Sequence, residues 1–179
     1  WANTALGPFT TSNYLTYTGF DSADLTFAGD FSFEGWLYQT AAGTNGKYAT
    51  IMQLGDSDGS PYQFYWSCHN GNNVANHLYI HDGTNDTSIS ETSRGAAVPL
   101  NQWTHIAMCR NNFVMSYHIN GQLHNTSIDS TPATGMRASM DTLRIGFGFN
   151  ATDHAEFPGY LDGLRICNGV AAYTPHFNP

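Results

Sequence analysis

Apolar and polar residues alternate along most of this chain with a period of two, in short runs separated by Gly, Asn and Asp clusters. No apolar stripe of 3.6-residue period, the mark of an amphipathic helix, is sustained. The alternation predicts strands over 14–18, 24–26, 31–39, 47–54, 62–68, 77–81, 87–90, 103–110, 113–119, 122–128, 142–149 and 159–166. Asn111-Asn112 joins two of these runs tightly enough for a hairpin, and Asn120-Gly121 is the strongest two-residue hairpin signal. A dozen short strands with no helices between them make an all-β sandwich of two antiparallel sheets. No helix is expected beyond a turn near 168–173. No internal repeat or linker-like stretch divides the chain, so 1–179 reads as one domain, with 1–13 a candidate linker or contact arm.

The phase of the alternation sorts side chains by face. In the 31–39 run Phe31, Phe33 and Leu37 share one face, and Glu34, Trp36 and Tyr38 the other. The 62–68 run opposes Phe64, Trp66 and Cys68 to Tyr65 and Ser67, and the 77–81 run opposes Leu78 and Ile80 to His77, Tyr79 and His81. One face of each is core. The other carries flat rings that stack on pyranose faces and planar groups that hydrogen-bond hydroxyls. The same residues also serve as ordinary decoration of an outer sheet surface, with Trp36 a packed anchor. Trp103 and Leu164 are expected deep in the core.

Three blocks carry a family resemblance: Phe31-Ser-Phe-Glu-Gly-Trp36, Trp103-Thr-His-Ile-Ala107 running on to Tyr117-His-Ile-Asn-Gly121, and the closing Gly159-Tyr-Leu-Asp-Gly-Leu-Arg-Ile166 with Gly169-Val-Ala-Ala-Tyr173. In this order they resemble the laminin-G-like, concanavalin A-like jelly rolls of the lectin and glucanase superfamily. The closing block is most similar to the versions carried by bacteriophage tail and fibre proteins. The resemblance implies a two-sheet jelly roll on a virion surface or in another extracellular setting. It implies host cell-surface glycans and other virion proteins as partners, and is compatible with a homo-oligomer. The fold alone does not fix the function, since it hosts binders, enzymes and structural modules.

Composition narrows the choice. Charged residues make up 11% of the chain, against ~25% in an average domain. Gly, Asn, Thr and Ser fill the surface instead, and 14% aromatics supply the core. The net charge is −8 with six Lys and Arg in all, so no basic stripe exists for nucleic acid or anionic lipid. No apolar run approaches the ~18 residues of a membrane span. The chain starts at Trp1 without a basic-then-apolar leader, which reads as a processed or excised fragment. Cys68, Cys109 and Cys167 cannot all pair within one chain; buried free thiols are favoured over a single Cys68–Cys109 bridge. Sequons stand at Asn85, Asn125 and Asn150.

Glycoside hydrolysis needs two carboxyls flanking the scissile bond. The glucanases of this fold set theirs on a stretch such as Glu-x-Asp-x-x-Glu. None of Glu34, Glu91 and Glu156 has an Asp two residues on or another Glu within five, so that pattern is missing. A non-enzymatic module is expected. His77 and His81 share a strand face but stand about 13 Å apart along it, too far for one zinc. Asp56-Ser-Asp58-Gly59 gathers hard oxygen ligands in one loop, suiting calcium at the sandwich rim, though Asp-Gly loops are also ordinary turn chemistry.

These readings converge on a non-catalytic carbohydrate-binding module, with a structural module of a viral particle as the rival. The expected sugar site uses Tyr65, Trp66, Tyr79, His81 and Glu34, with Asp56 and Asp58 holding calcium beside it. Tyr65 and Trp66 point to opposite faces of one strand, so only one can stack on a sugar, and Tyr65 is preferred.

Overall fold

The computed structural model describes residues 5–19, 27–41, 47–55, 62–69, 77–82, 84–90, 98–129, 142–149, 154–173 and 179. Its strands, in chain order, are β1 (Leu15–Thr18), β2 (Phe31–Gln39), β3 (Tyr48–Gly55), β4 (Tyr62–His69), β5 (His77–His81) and β6 (Asp86–Ser90). There follow β7 (Trp103–Asn111), β8 (Val114–Ile119), β9 (Gln122–Ile128), β10 (Thr142–Ile145), β11 (His154–Glu156) and β12 (Gly159–Asn168). One sheet has seven strands in the order β1-β10-β3-β4-β5-β6, with β11 also on β3; the other has five, β12-β2-β7-β8-β9. Among the described residues there is no helix. The fold is the predicted two-sheet jelly roll, all antiparallel but for one pairing.

That exception is β11, which runs parallel to β3 along Tyr48–Thr50, while β10 takes Met52–Gly55 on the same edge. A register shift sits at the hand-over, where the Ile51 carbonyl accepts the Gly146 N–H at 2.9 Å. The His-Ala-Glu of β11 is too short to show alternation and has no β-branched residue, so its sequence carries no strand signal. The predicted 142–149 strand stops at Ile145 because Gly146 turns the chain with φ +88°. A Cβ there would also stand 2.0 Å from the Phe9 ring.

Strands 31–39, 77–81 and 122–128 form with the predicted bounds; the predicted 24–26 strand lies outside the described residues. Asn120 and Gly121 both take positive φ, as a type I′ hairpin requires. The β7–β8 turn falls one residue later than predicted, on Asn112 (φ 47°) and Phe113 (φ 65°). Ahead of β1, Leu6 bridges to Leu161 and Phe9 enters the core, so this stretch packs on the domain.

Phe27, Phe31, Phe33 and Phe64 form the centre of the core, with ring centroids 5.1–5.8 Å apart. Trp66, Leu78, Met108 and Tyr117 extend it between the sheets. One charged residue shares this layer. Arg110 lies over the Phe31 ring and donates from Nη1 to Asp129 at 2.9 Å, from Nε to the Gly29 carbonyl at 2.9 Å, and from Nη2 to the Phe27 carbonyl. Thr87 of β6 donates to the same Asp129 oxygen at 2.8 Å. The cluster ties the two sheets together, and Arg110, Asp129, Thr87 and Phe27 in it are buried.

Trp103 is not in the core: it is 41% exposed. The register sets Thr104, Ile106 and Met108 opposite Leu37, Gly35 and Phe33, which turns Trp103 outward beside Tyr38. The apolar run Ile106-Ala-Met-Cys109 is continuous, so alternation alone leaves the phase of β7 undetermined. Leu164 is half-buried, packed on the core margin. All three cysteines are free thiols, and burial pushes those of Cys68 and Cys109 up to about 12.

Candidate functional site

The His-Leu-Tyr-Ile-His run of β5 sends Leu78 and Ile80 inward and His77, Tyr79 and His81 outward. On the same outer face of the seven-stranded sheet, Tyr65 of β4 pairs in register with Tyr79, and their rings stack at 5.3 Å and 17°. Tyr48 lies behind Tyr65 at 5.4 Å, and His154 of β11 closes the row at 5.3 Å from Tyr65. Hydrogen bonds fix these rings. Tyr65 Oη meets His77 Nδ1 at 3.3 Å, and Tyr79 Oη donates to Asp86 at 2.6 Å. The same Asp86 oxygen lies 3.2 Å from His81 Nε2. The result is a row of rings edged by imidazoles and a carboxylate.

Tyr79 and His81 therefore stand together as the sequence predicts, but three of their expected partners do not join them as ligand contacts. Trp66 is fully buried in the core, because β4 alternation turns it inward against Met52 and Leu78. Tyr65 points outward, yet its neighbours leave only 5% of it exposed, so it braces Tyr79 rather than offering its own ring. Glu34 belongs to β2 and faces out from the five-stranded sheet, on the opposite side of the sandwich. Asp56 and Asp58 lie outside the described residues. Among the described residues no three His, Cys, Asp or Glu side chains are grouped closely enough to hold a metal.

Glu34 has a setting of its own. A cleft of about 350 Å³ on the outer face of the five-stranded sheet is lined by Glu34, Trp36, His105, Asp162, Arg165 and Tyr173. The lining depends on a bulge in β12. Asp162 pairs with Trp36 and Arg165 with Glu34, leaving Gly163 and Leu164 opposite Gly35 alone. Gly163 adopts φ +56°, the left-handed conformation such a bulge demands. Leu164 tucks into the space above Gly35, where a Cβ would lie 2.5 Å from it. The extra residue re-aims Arg165 outward onto Glu34. Arg165 bonds Glu34 Oε1 and donates from Nη2 to Tyr173 Oη at 2.9 Å.

The other Glu34 oxygen sits 3.1 Å from His105 Nε2. A carboxylate only accepts, so Nε2 carries the proton. Burial holds the His105 pKa below its usual 6.5, a pull that the Glu34 charge and hydrogen bond oppose but do not overcome. The unfolded chain therefore takes up this proton first as pH falls. The stability contributed by neutral His105 is complete above 6.5 and lost as pH drops through the lowered folded value. Thermal unfolding followed from about pH 8 to about pH 5 is expected to show Tm falling through that window, less steeply in His105→Gln. Equal slopes in the two proteins would show that His105 does not set the decline.

Further along the same face Tyr38 contacts Trp103 at 5.5 Å and Tyr160 at 6.2 Å. No signal in the sequence joins this aromatic strip and the cleft into one unit. The Glu34–Arg165 meeting depends on a one-residue bulge across 131 positions, and the only local sign of it is Asp-Gly within an otherwise alternating strand.

No curated protein matches the chain in sequence. Among solved structures, domain 4 of AbnA, a GH43 extracellular arabinanase from Geobacillus stearothermophilus in complex with arabinotriose, is 22% identical with a TM-score of 0.55, covering 85% of this chain and 66% of that one. Domains LG4-5 of the mouse laminin alpha1 chain are 13% identical with a TM-score of 0.60, over 96% and 45%. The binding domain of botulinum neurotoxin DC in complex with SialylT is 13% identical with a TM-score of 0.57, over 86% and 35%. The chain spans less than two thirds of each, and at these identities the likeness is one of fold. The Laminin G 3 family model, described as the concanavalin A-like lectin/glucanases superfamily, matches residues 9–172. By that match and by its two stacked sheets, the chain belongs to the concanavalin A-like lectin/glucanase superfamily as a laminin G-like domain.

Proposed function

We propose that this domain is a non-catalytic carbohydrate-binding module whose ligand lies across the outer face of the seven-stranded sheet. The observation that carries the reading is the Tyr79 ring, stacked on Tyr65 and flanked by His77, His81 and Asp86. A rigid ring edged by donors and acceptors is what a pyranose needs: an apolar face to lie on, and fixed partners for its hydroxyls. The arabinotriose and SialylT complexes of the structural neighbours support the same ligand class.

On the outer face of the seven-stranded sheet, the spacing of the strand carboxylates supports binding without cleavage. Asp86 on β6 and Glu156 on β11 are four strands apart across the sheet, roughly 19 Å, against ~5–9.5 Å for a glycosidase pair. Display on a phage tail or fibre, facing host glycans, rests on the closing Gly159–Tyr173 block. A calcium ion at Asp56 and Asp58 belongs to the same proposal; EDTA lowering glycan affinity would support it and unchanged affinity would remove it.

Binding to a glycan array tests the module. Tyr79→Ala is expected to weaken the strongest hit about fivefold, the worth of one stacking contact near 1 kcal/mol, with an unchanged circular dichroism spectrum. No hit on the array, or full affinity in the variant, would overturn the platform. Release of reducing ends from any hit would overturn the non-catalytic reading.

One observation favours the rival reading of a particle-contact module. Phe113, Val114 and Ile128 are all exposed at one end of the β7–β8–β9 meander, with Val114 and Ile128 paired in register. Exposed neighbouring apolar side chains of this kind mark contact surfaces. Self-association or partner capture lost in Ile128→Ser, with no glycan hit, would select that reading.

A further inference from the structure

We propose that the cleft between Trp36 and Tyr173 is a second, separate carbohydrate site, and that it takes the neutral end of a glycan presenting a vicinal diol. The inference rests on the reading of the domain as a carbohydrate module, but on different residues of the opposite sheet.

The cleft is built and rigid. Glu34 at its floor is buried and engaged by His105 on one oxygen and Arg165 on the other. Arg165 is held in turn by Tyr173 of the segment that follows β12. That segment is itself anchored, since Ser32 Oγ donates to the Val170 carbonyl at 3.0 Å and accepts from the Ala172 N–H at 3.4 Å. Trp36 forms the other wall, with its ring edge-on to His105 at 5.2 Å.

Among the described residues, two polar groups of the cleft have bonding capacity left for a ligand. Asp162 spends Oδ1 on the Gly163 N–H at 2.8 Å, and among the described residues nothing engages Oδ2. Arg165 commits Nε and Nη2, while among the described residues nothing engages Nη1, and its side chain is largely exposed. The cleft thus offers an acceptor and a donor beside an indole ring. Adjacent hydroxyls, each able to donate and accept, match that pair. The charges select against acids: Arg165 neutralises Glu34, His105 is held neutral, and the remaining formal charge is that of Asp162. The volume of about 350 Å³ lies near the lower end of small-molecule sites, ~300–1,000 Å³, and suits one or two sugar rings rather than a long chain.

Amide and indole NMR resonances of the intact protein, titrated with methyl glucoside, galactoside, mannoside and arabinoside, test the site. The expected result is a saturable shift of the Trp36 Nε1–H and Gly163 N–H signals with at least one neutral glycoside. The same titration is expected to weaken about fivefold or more in Asp162→Asn, which removes the charge and keeps the fold. No shift at Trp36 and Gly163 with any of the four, an unchanged titration in Asp162→Asn, or equal shifts with methyl glucuronide would overturn it. Shifts confined to Tyr79 and His81 would remove the cleft and leave the platform standing. Shifts confined to Trp36 and Gly163 would keep the cleft and remove the platform.

Discussion

Asp129→Ala is expected to destabilise the domain by about 3–5 kcal/mol, enough to leave a marginal protein largely unfolded. The reason is what the change leaves behind. Arg110 is buried, and its guanidinium would lose the one carboxylate it pairs with among the described residues while keeping its charge among phenylalanines. Thr87 would lose the Asp129 oxygen it donates to at the same time. The cost is one of an unmatched charge, not of a missing attraction, so removing both partners should be far milder. Asp129→Leu combined with Arg110→Met is expected to recover most of the loss, as apolar replacements of whole buried pairs often do. Urea denaturation gives both quantities. A double variant as unstable as Asp129→Ala would show that the Phe27 and Gly29 carbonyls depend on Arg110 more than Asp129 does.

Trp66→Ala is expected to cost about 3–5 kcal/mol through the cavity it opens. Its indole is fully buried between Met52 and Leu78 in register, in the layer shared with Phe64. Trp103→Ala should cost far less, because that ring is 41% exposed and packs on one side against Tyr38. The pair makes a matched comparison of one residue type in two settings. Denaturation midpoints that move equally for both would show that the phase of β7 differs from the one described.

Alternation made β2, β5 and β9 legible to the residue, although β5 alone shows it cleanly in burial and both faces of β2 end up largely covered. It failed where the contrast between apolar and polar positions fades. In β7 both phases are apolar, so Trp103 was placed inward when only its pairing with Tyr38 decides the matter. In β11 three residues are too few to show any period. The candidate sites divide in the same way. Tyr79 and His81 lie on one strand, and their shared face follows from a count of two. Glu34 groups with them in the sequence because outward faces look alike there, and the sequence does not say which sheet a strand joins. Trp66 was ambiguous with Tyr65 until the core claimed it. The cleft depends on a bulge, and a bulge is visible only when the partner strand is known.

Placing the last strand, β12, beside β2 has a consequence for how the chain reaches its native state. The five-stranded sheet is assembled from distant segments: β2 can pair with β7 only after some seventy residues have followed it, and with β12 only after about 120. Loop closure over such separations is slow, and folds dominated by non-local pairings mature in milliseconds to seconds. During synthesis, Phe31, Phe33 and Leu37 would sit on a strand whose two edges are both vacant. A nascent chain of this kind is vulnerable to strand addition by its neighbours until β12 has emerged. The same β12 that carries Arg165 to Glu34 is therefore the step that ends that exposure.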